Sequence, residues 1–248
     1  MRTKLVRDRE SLAVCIAESV SHALLSANGF RVAEPFCVEI GEDFARDLTA
    51  QYGFDTPVRS GRHWGTRLMR RGVQEVEFDA SHLDVLAKPR DVFRLYLADV
   101  ILGNPDRQRH GNVLLARRAG SAEGLDLLPI DQSEAFFHPS VLLDAGRLRS
   151  FFDRSGAQLL DGTDRVVAEG GLQLVEESFA HARALESRMG EFVEACSEEW
   201  LDLSGVDSDL LEEFLEHRVA ALDVLGREAH WLGVASITQG GAHALNLF

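Results

Sequence analysis

The sequence lacks the features that mark membrane, secreted and zinc-binding proteins. No apolar run approaches the roughly 20 residues that span a bilayer, and the opening residues, MRTKLVRDRE, lack the apolar core of a signal peptide. The three cysteines, Cys15, Cys37 and Cys196, are odd in number and far apart, which provides no zinc-ligand spacing and is typical of a reducing compartment. We therefore expect a cytoplasmic protein that does not act at a membrane.

An excess of basic charge is also missing. The formal net charge is −14 at pH 7, which argues against a general nucleic-acid-binding protein. Residues 1–118 carry 18 basic and 16 acidic side chains, whereas residues 119–248 carry 8 and 24. The first part is therefore the better place for an anionic ligand, and the second is typical of a solvated helical body.

The hydrophobic pattern predicts strands mainly in the first half of the chain and helices in the second. The expected strands are 1–7, 30–40, 63–71 and the two apolar runs VLLA and LDLLPI at 113–116 and 125–130. The expected helices are about 9–28, 91–102, 141–153, 164–183, 185–198 and 207–231, with a loop and a short helix in each of 41–62 and 72–88. Because strands and helices are segregated rather than alternating, the pattern indicates an α+β fold of one large domain or two packed lobes.

Residues 98–136 hold the side chains that are most informative about function. The polar loop after the helix 91–102 carries Asp106 and Asn112, and the hairpin that follows ends on Asp131. Each residue by itself is well explained as an ordinary turn residue. Together, two carboxylates and a carboxamide could orient an acceptor hydroxyl and hold Mg²⁺, which are the parts that phosphoryl transfer needs.

Three neighbours of these residues have expected supporting roles. Asp99 lies within an apolar helix and needs a polar partner if it is buried. Arg107 can fix the loop or neutralise charge, and His110 can hydrogen-bond within the loop or contact phosphates.

Two features upstream remain open from the residues alone. Glu18 lies about half a turn from the apolar stripe of helix 9–28, which favours a solvated helix position. Five arginines and His63 lie between residues 59 and 71. They form either a charged surface, which we favour, or a wall near phosphates or an acidic partner.

The segments NPDRQRHGNVLL and LLPIDQSEAF resemble the catalytic and metal-binding segments of HipA-like kinases, which are similar to phosphoinositide 3/4-kinases and, more distantly, to eukaryotic-type protein kinases. The stretches IAESVSHALLSANGFRVAEPFCVEI, HWGTRLM and CSEEW resemble flanking segments of the family, so the similarity covers most of residues 4–231. It implies a protein-kinase-like fold with a reduced N-terminal lobe containing strands (1–75), a mainly helical C-terminal lobe (76–235) and a tail (236–248).

The resemblance implies roles for individual residues. Asp106 would be the catalytic base with His110 beside it, and Asn112 and Asp131 would hold Mg²⁺ that bridges the phosphates of ATP. Glu18 would match the helix glutamate that pairs with a strand lysine, for which Lys4 is the candidate. The hinge that meets adenine through its backbone would lie at Leu68, Met69 and Arg70.

The sequence departs from the family pattern at three points. Asn112 follows Asp106 by six positions, one more than is usual, and Gln132 and Ser133 follow Asp131 where the family often has an aromatic residue or His and then Gly. Only three residues precede Lys4, so we expect the Gly-rich phosphate-covering loop to be missing. The alternatives are a truncated chain or an upstream start, a lobe supplied or covered by a partner protein, and a protein that works without this loop.

The resulting expectation is an ATP- and Mg²⁺-dependent kinase that phosphorylates Ser or Thr on a protein substrate. A role in a toxin–antitoxin module is implied by analogy alone. Two alternatives stay open: a degenerate member that acts as a nucleotide-binding or interaction protein, and a kinase for a lipid or another small molecule.

Overall fold

Two small antiparallel sheets lie in the first half of the chain, and helices make up most of the second. The computed structural model describes residues 2–67, 73–109, 111–117 and 124–227. In one sheet the strand order is β1–β3–β2, and in the other it is β4–β5–β6. The predicted α+β fold class with a helical C-terminal part is thereby confirmed.

The strands are β1 Arg2–Lys4, β2 Glu34–Ile40, β3 Gly61–Arg67, β4 Val73–Glu77, β5 Val113–Arg117 and β6 Leu125–Pro129. The helices are α1 Arg9–Ala27, α2 Glu42–Tyr52, α3 Asp91–Leu102, α4 Pro139–Leu142, α5 Ala145–Ser150, α6 Thr163–Arg183, α7 Met189–Glu194, α8 Glu198–Ser204, α9 Ser208–Ala220 and α10 Leu222–Arg227. Short 3-10 turns cover Ala80–Val85 and Glu186–Arg188.

Helix α1 begins with a reciprocal cap and is buried on most of its faces. The Asp8 carboxylate accepts the backbone N–H of Ser11 (2.8 Å), and the Ser11 hydroxyl accepts the N–H of Asp8 (2.8 Å), which satisfies donors that a helix start leaves unpaired. The expected apolar stripe is buried, and so are residues on other faces, including Cys15, Glu18 and Leu25. The prediction of a solvated Glu18 is therefore wrong, because α8, α4, α7, α3, β3 and β1 all pack around this helix.

Helix α3 forms the second centre of the main hydrophobic core. It is apolar nearly all round and, as predicted, almost entirely buried. It ends at Gly103, whose left-handed backbone (φ 59°) suits glycine at a helix C-terminus. A separate small cluster of Ile40, Ala45 and Val58 lies under α2. The division of the chain into lobes at residue 75 stays a prediction.

Several predicted boundaries differ from the structure for local reasons. Residues Val73–Glu77 form a strand on the edge of the second sheet, where the sequence predicted a loop. The single helix predicted over 141–153 is two helices, because the Asp144 carboxylate accepts the N–H of Arg147 (3.0 Å) and starts a new one. The helices predicted over 185–198 and 207–231 are likewise divided. In the described part of the chain, the helices are all too short or too polar to cross a bilayer.

Candidate active site

The loop after α3 brings Asp106 into direct contact with Asn112. The Asn104 side-chain oxygen accepts the backbone N–H of Asp106 (3.1 Å), which fixes the turn. Asn112 lies immediately before β5, and its Nδ2 donates to the backbone oxygen (2.8 Å) and to Oδ2 (3.1 Å) of Asp106. The additional loop residue therefore leaves the two side chains together.

The β5–β6 hairpin places Asp131 beside these residues. Val113 is paired with Pro129 in the antiparallel register, and the N–H of Ile130 donates to the backbone oxygen of Asn112 (3.0 Å). Asn112 and Asp131 therefore leave the same open end of the hairpin. Hydrogen bonds thus connect Asp106 to Asn112, and Asn112 to the residue before Asp131.

Lys4 joins this edge of the hairpin to helix α1. Its Nζ lies 2.7 Å from Asp131 Oδ1 and 3.3 Å from Glu18 Oε1. The side chain of Glu18 is 7% exposed, whereas those of Lys4 and Asp131 are 33% and 36% exposed. The expected pairing of Lys4 with Glu18 is present, and Lys4 bridges two carboxylates rather than one.

The pKa shifts of the three groups follow from this bridge. Burial lowers the pKa of Lys4, but the charges of Glu18 and Asp131 more than compensate and raise it. Burial raises the pKa of Glu18, and Lys4 opposes part of that rise. Burial would also raise the pKa of Asp131, but hydrogen bonding and charge from Lys4 lower it below its ordinary value. At neutral pH, Lys4 is therefore positively charged and Asp131 negatively charged.

Asp131 has an unusual backbone conformation. Its φ of 54° lies in the left-handed region, which costs a residue with a Cβ about 1–2 kcal/mol. The Ser133 hydroxyl donates to Asp131 Oδ1 (2.7 Å), the oxygen that Lys4 also contacts. Such conformations persist where surrounding contacts hold them, as they often do at functional sites.

A fully buried ion pair lies beneath the loop. Arg107 donates from Nε to Asp99 Oδ2 (2.9 Å) and from Nη2 to Asp99 Oδ1 (2.8 Å), and both side chains are 0% exposed. Arg107 Nη1 also donates to the backbone oxygens of Asn112 (3.3 Å) and Ile130 (3.4 Å). The predicted partner for Asp99 is thus Arg107, and the pair holds the loop against the end of the hairpin.

Two residues of this network had no signal in the sequence. The Asn104 carboxamide contacts both Asp99 and Gln132, and the Gln132 side-chain oxygen also accepts a hydrogen bond from Arg107. Both residues are nearly inaccessible. Asn104 precedes a proline and is typical of a turn, and Gln132 stood out merely as a departure from the family pattern.

The arginines of the stretch 59–71 that the structure describes, Arg59, Arg62 and Arg67, lie at the surface, and Arg70 and Arg71 lie outside the described residues. Arg62 and Arg67 are exposed and lie near glutamates of β2 and α8. His63, in contrast, is fully buried. Its Nδ1 accepts the N–H of Val6 (2.8 Å), and its Nε2 lies 3.1 Å from the backbone oxygen of Arg59. His63 thus holds the chain just after Lys4 in place.

Other predicted site residues lie outside the described residues. These are His110 in the loop and the proposed adenine-binding hinge at Leu68, Met69 and Arg70. Their roles stay predictions.

The oxygen groups at the hairpin end suit Mg²⁺ that is bound together with a nucleotide. Within residues 2–67, 73–109, 111–117 and 124–227, no three His, Cys, Asp or Glu side chains are grouped so as to hold a metal ion. Mg²⁺ in nucleotide sites commonly takes one or two carboxylates, with phosphates and water as the other ligands. Asp131 supplies a carboxylate, and Asn112 turns its nitrogen to Asp106, which leaves the amide oxygen as its possible ligand atom.

Comparisons with known proteins add little to this geometry. No protein-family model matches the chain, and no curated protein matches it. Among solved structures, the chain is similar to the crystal structure of a Helicobacter pylori proinflammatory kinase, CtkA. The identity is 14% and the TM-score 0.45, over 93% of this chain and 85% of that chain. A likeness of that extent carries no functional argument, and the contacts around Lys4, Asp106 and Asp131 have to carry it instead.

Proposed function

We propose that this protein is an ATP- and Mg²⁺-dependent phosphotransferase of kinase-like architecture, with a Ser or Thr hydroxyl of a protein as the acceptor. The observation that supports it best is the bridge from Lys4 to Glu18 and Asp131. Asp131, at one end of this bridge, lies at the same end of the hairpin as Asn112, which contacts Asp106. The Lys4 cation, the buried Glu18 carboxylate and the side-chain oxygens of the loop therefore lie at one edge of the hairpin. The resemblance to HipA-like kinases assigns the same residues.

Lys4 is suited to bind phosphate oxygens. An ammonium group has three N–H donors, and Glu18 and Asp131 face two of them. The side chain is one-third exposed, so the remaining donor can reach a bound phosphate group. Glu18, which is buried and fixed on α1, holds the ammonium group in one direction and so reduces the reorganisation that ligand binding requires.

The negative charge of the site, together with that of a bound nucleotide, favours the binding of a divalent cation. Glu18 and Asp131 share one lysine, and a polyphosphate would add further negative charge. Mg²⁺ on Asp131 and Asn112 would supply charge neutralisation and clamp the phosphates. The protein itself then has to hold the ligands still, which the Lys4 and Ser133 contacts to Asp131 Oδ1 do.

Asp106 is suited to orient the acceptor hydroxyl. It is partly exposed (26%), and Asn112 fixes one of its oxygens with a hydrogen bond of 3.1 Å. A base held in this way can accept the proton of a hydroxyl at about 2.6–3.2 Å. A protein acceptor is carried over from the resemblance, and the assay must therefore compare acceptor classes.

Lysine labelling provides a direct test of nucleotide binding. The chain has two lysines, Lys4 and Lys88, and Lys88 lies just before α3, where its charge acts on Asp91 and its backbone oxygen accepts the Asp91 N–H. We expect a lysine-reactive ATP analogue to label Lys4 in preference to Lys88, and Mg·ATP to protect Lys4. Equal labelling of both lysines, without protection, would overturn the proposal.

Phosphate transfer tests the reaction itself. We expect Asp106→Asn to lower transfer by on the order of 10²- to 10⁴-fold, the range for loss of an acid–base group. Asp131→Asn should also lower transfer, because it removes the carboxylate that would hold Mg²⁺. Asp126→Asn, on β6 of the same hairpin, is the matched control and should keep full activity. Nucleotide binding without turnover in the unaltered protein would instead indicate a degenerate nucleotide-binding protein. Transfer to a lipid or small molecule alone would reassign the acceptor.

A further inference from the structure

Gln132 connects the two halves of the candidate site. It directly follows Asp131 and is 3% exposed. On one side of it lies the loop that carries Asp106, and on the other lies the Lys4–Glu18 pair. The resemblance assigns this position no role, since the family often has an aromatic residue or His there.

The side chain of Gln132 contacts the two residues that support Asp106. Its Oε1 accepts from Arg107 Nη2 (2.5 Å), and Arg107 is the next residue after Asp106. The same oxygen accepts from Asn104 Nδ2 (3.3 Å), and Asn104 in turn accepts the backbone N–H of Asp106 (3.1 Å). One side-chain oxygen therefore fixes the position of Asp131 relative to the Asp106 loop.

The backbone of Gln132 lies beside the other half of the candidate site, the Lys4–Glu18 pair. Its N–H faces the carboxylate of Glu18 closely enough to lower the pKa of that group, and Glu18 also forms the ion pair with Lys4. Asp131, between this N–H and the hairpin, contacts Lys4 as well. A shift of Gln132 would therefore move Asp131 and Glu18 relative to Lys4.

The amide oxygen is the useful atom of this side chain. Gln132 Nε2 is buried and has no hydrogen-bond partner among the described residues. A buried donor without a partner destabilises the folded state, so stability alone does not account for an amide here. A carboxylate would keep the acceptor, but it would add a negative charge near Asp99, Asp131 and Glu18. The neutral amide oxygen of Gln132 accepts these hydrogen bonds without adding a negative charge.

We infer that Gln132 is a positioning residue whose side-chain oxygen holds Asp131 in register with Asp106 and with Lys4. Its catalytic consequence rests on the proposed function, but its effect on Lys4 does not. Gln132→Met keeps the length of the side chain and removes the acceptor. Glu134→Met makes the same replacement two residues further on, at a partly exposed position, and is the matched control.

The first readout needs no nucleotide. In the unliganded protein, we expect Gln132→Met to raise the acylation rate of Lys4 relative to Lys88 several-fold, because Asp131 no longer holds the ammonium group. Glu134→Met should leave the ratio unchanged. An unchanged Lys4/Lys88 ratio in folded Gln132→Met would overturn the inference, whatever the activity.

The second readout separates positioning from folding. We expect kcat per folded molecule to fall on the order of 10- to 100-fold, as for a misplaced reacting group, with KM for Mg·ATP nearly unchanged. Equal kcat in Gln132→Met and the unaltered protein would contradict the catalytic part of the inference. Should the unaltered protein transfer no phosphate while the lysine ratio still changes, the proposed function fails and the positioning role stands.

A second variant covers the case in which Gln132→Met does not fold. Gln132→Asn stays polar and withdraws the oxygen from Arg107 by one methylene. We expect the same direction of change in the lysine ratio, with a smaller amplitude. A ratio equal to that of the unaltered protein would count against the inference in the same way.

Discussion

The buried Asp99–Arg107 pair makes the sharpest stability prediction. Both side chains are 0% exposed, and Asp99 accepts two hydrogen bonds from Arg107 at 2.9 and 2.8 Å. Asp99→Asn keeps the shape of the side chain but removes its charge and turns an NH₂ group toward the guanidinium. Arg107 then remains as a buried cation without an anionic partner.

Removing one partner of a buried ion pair costs about 3–5 kcal/mol. The free energy of unfolding of a native protein is typically about 5–15 kcal/mol, so this loss is a large fraction of the total stability. At about 2–4 °C per kcal/mol for chains of 150–250 residues, the melting temperature should fall by roughly 6–20 °C. Thermal and urea unfolding of the same sample measure both quantities.

A surface ion pair provides the control. Arg165 contacts Asp84 at 2.7 Å and Glu169 at 2.8 Å, distances similar to those of the buried pair, but its side chain is 49% exposed. Arg165→Gln should leave the melting temperature unchanged within error, since exposed pairs contribute little. If Asp99→Asn destabilised no more than Arg165→Gln, the reasoning from burial would be refuted.

A double variant tests whether the pair is isolated or part of a network. Replacing both members of an isolated buried pair by apolar residues is often neutral. Arg107 also donates to the backbone oxygens of Asn112 and Ile130 and to Gln132. We therefore expect Asp99→Leu combined with Arg107→Met to remain destabilised. Recovery of full stability would show that these additional contacts are unimportant.

Two further predictions concern backbone and pH. Gly124→Ala should lower the urea midpoint more than Gly111→Ala. Both glycines have positive φ (74° and 84°), but a Cβ at Gly124 would lie 2.7 Å from Ala87 Cα, whereas at Gly111 no atom of the described residues lies within 4 Å of the added Cβ. Equal decreases in the urea midpoint would contradict the predicted clash at Gly124. Burial lowers the pKa of His63, so its contribution to stability is present above the unfolded value of about 6.5 and is lost as pH falls through the folded pKa. His63→Asn keeps an acceptor for the Val6 N–H and should flatten the decline in urea midpoint between about pH 7 and 5, whereas an unchanged slope would exclude His63 as its source.

The alignment of Asp106, Asn112 and Asp131 was largely predictable from the sequence. The three residues lie within one short stretch, and an antiparallel hairpin brings its own two ends together whatever the rest of the chain does. The apolar character of α3 likewise predicted its central position. In such local arrangements, the spacing of residue types carries most of the information.

The edge strand β4 and the divided helices were not predictable in the same way. Val73–Glu77 is short and charged, and it becomes a strand because β5 supplies its hydrogen-bond partners. The helix break near residue 144 depends on the Asp144 cap, whereas at Ser197, where no side chain caps α8, the packing of α7 and α8 against α1 accompanies the break. Periodicity over a window of residues does not resolve such breaks.

By itself, the sequence determined the α+β class, the loop-and-hairpin that holds two carboxylates and a carboxamide, and the need of Asp99 for a partner. Tertiary structure alone decided that Glu18 is buried, that His63 is a support of the chain beside Lys4, and that Gln132 contacts both halves of the site. The physical reason is separation along the chain: Lys4 and Asp131 are 127 residues apart. Whether a polar side chain is buried depends on a partner from a distant element, and no local pattern of residues specifies which partner that is.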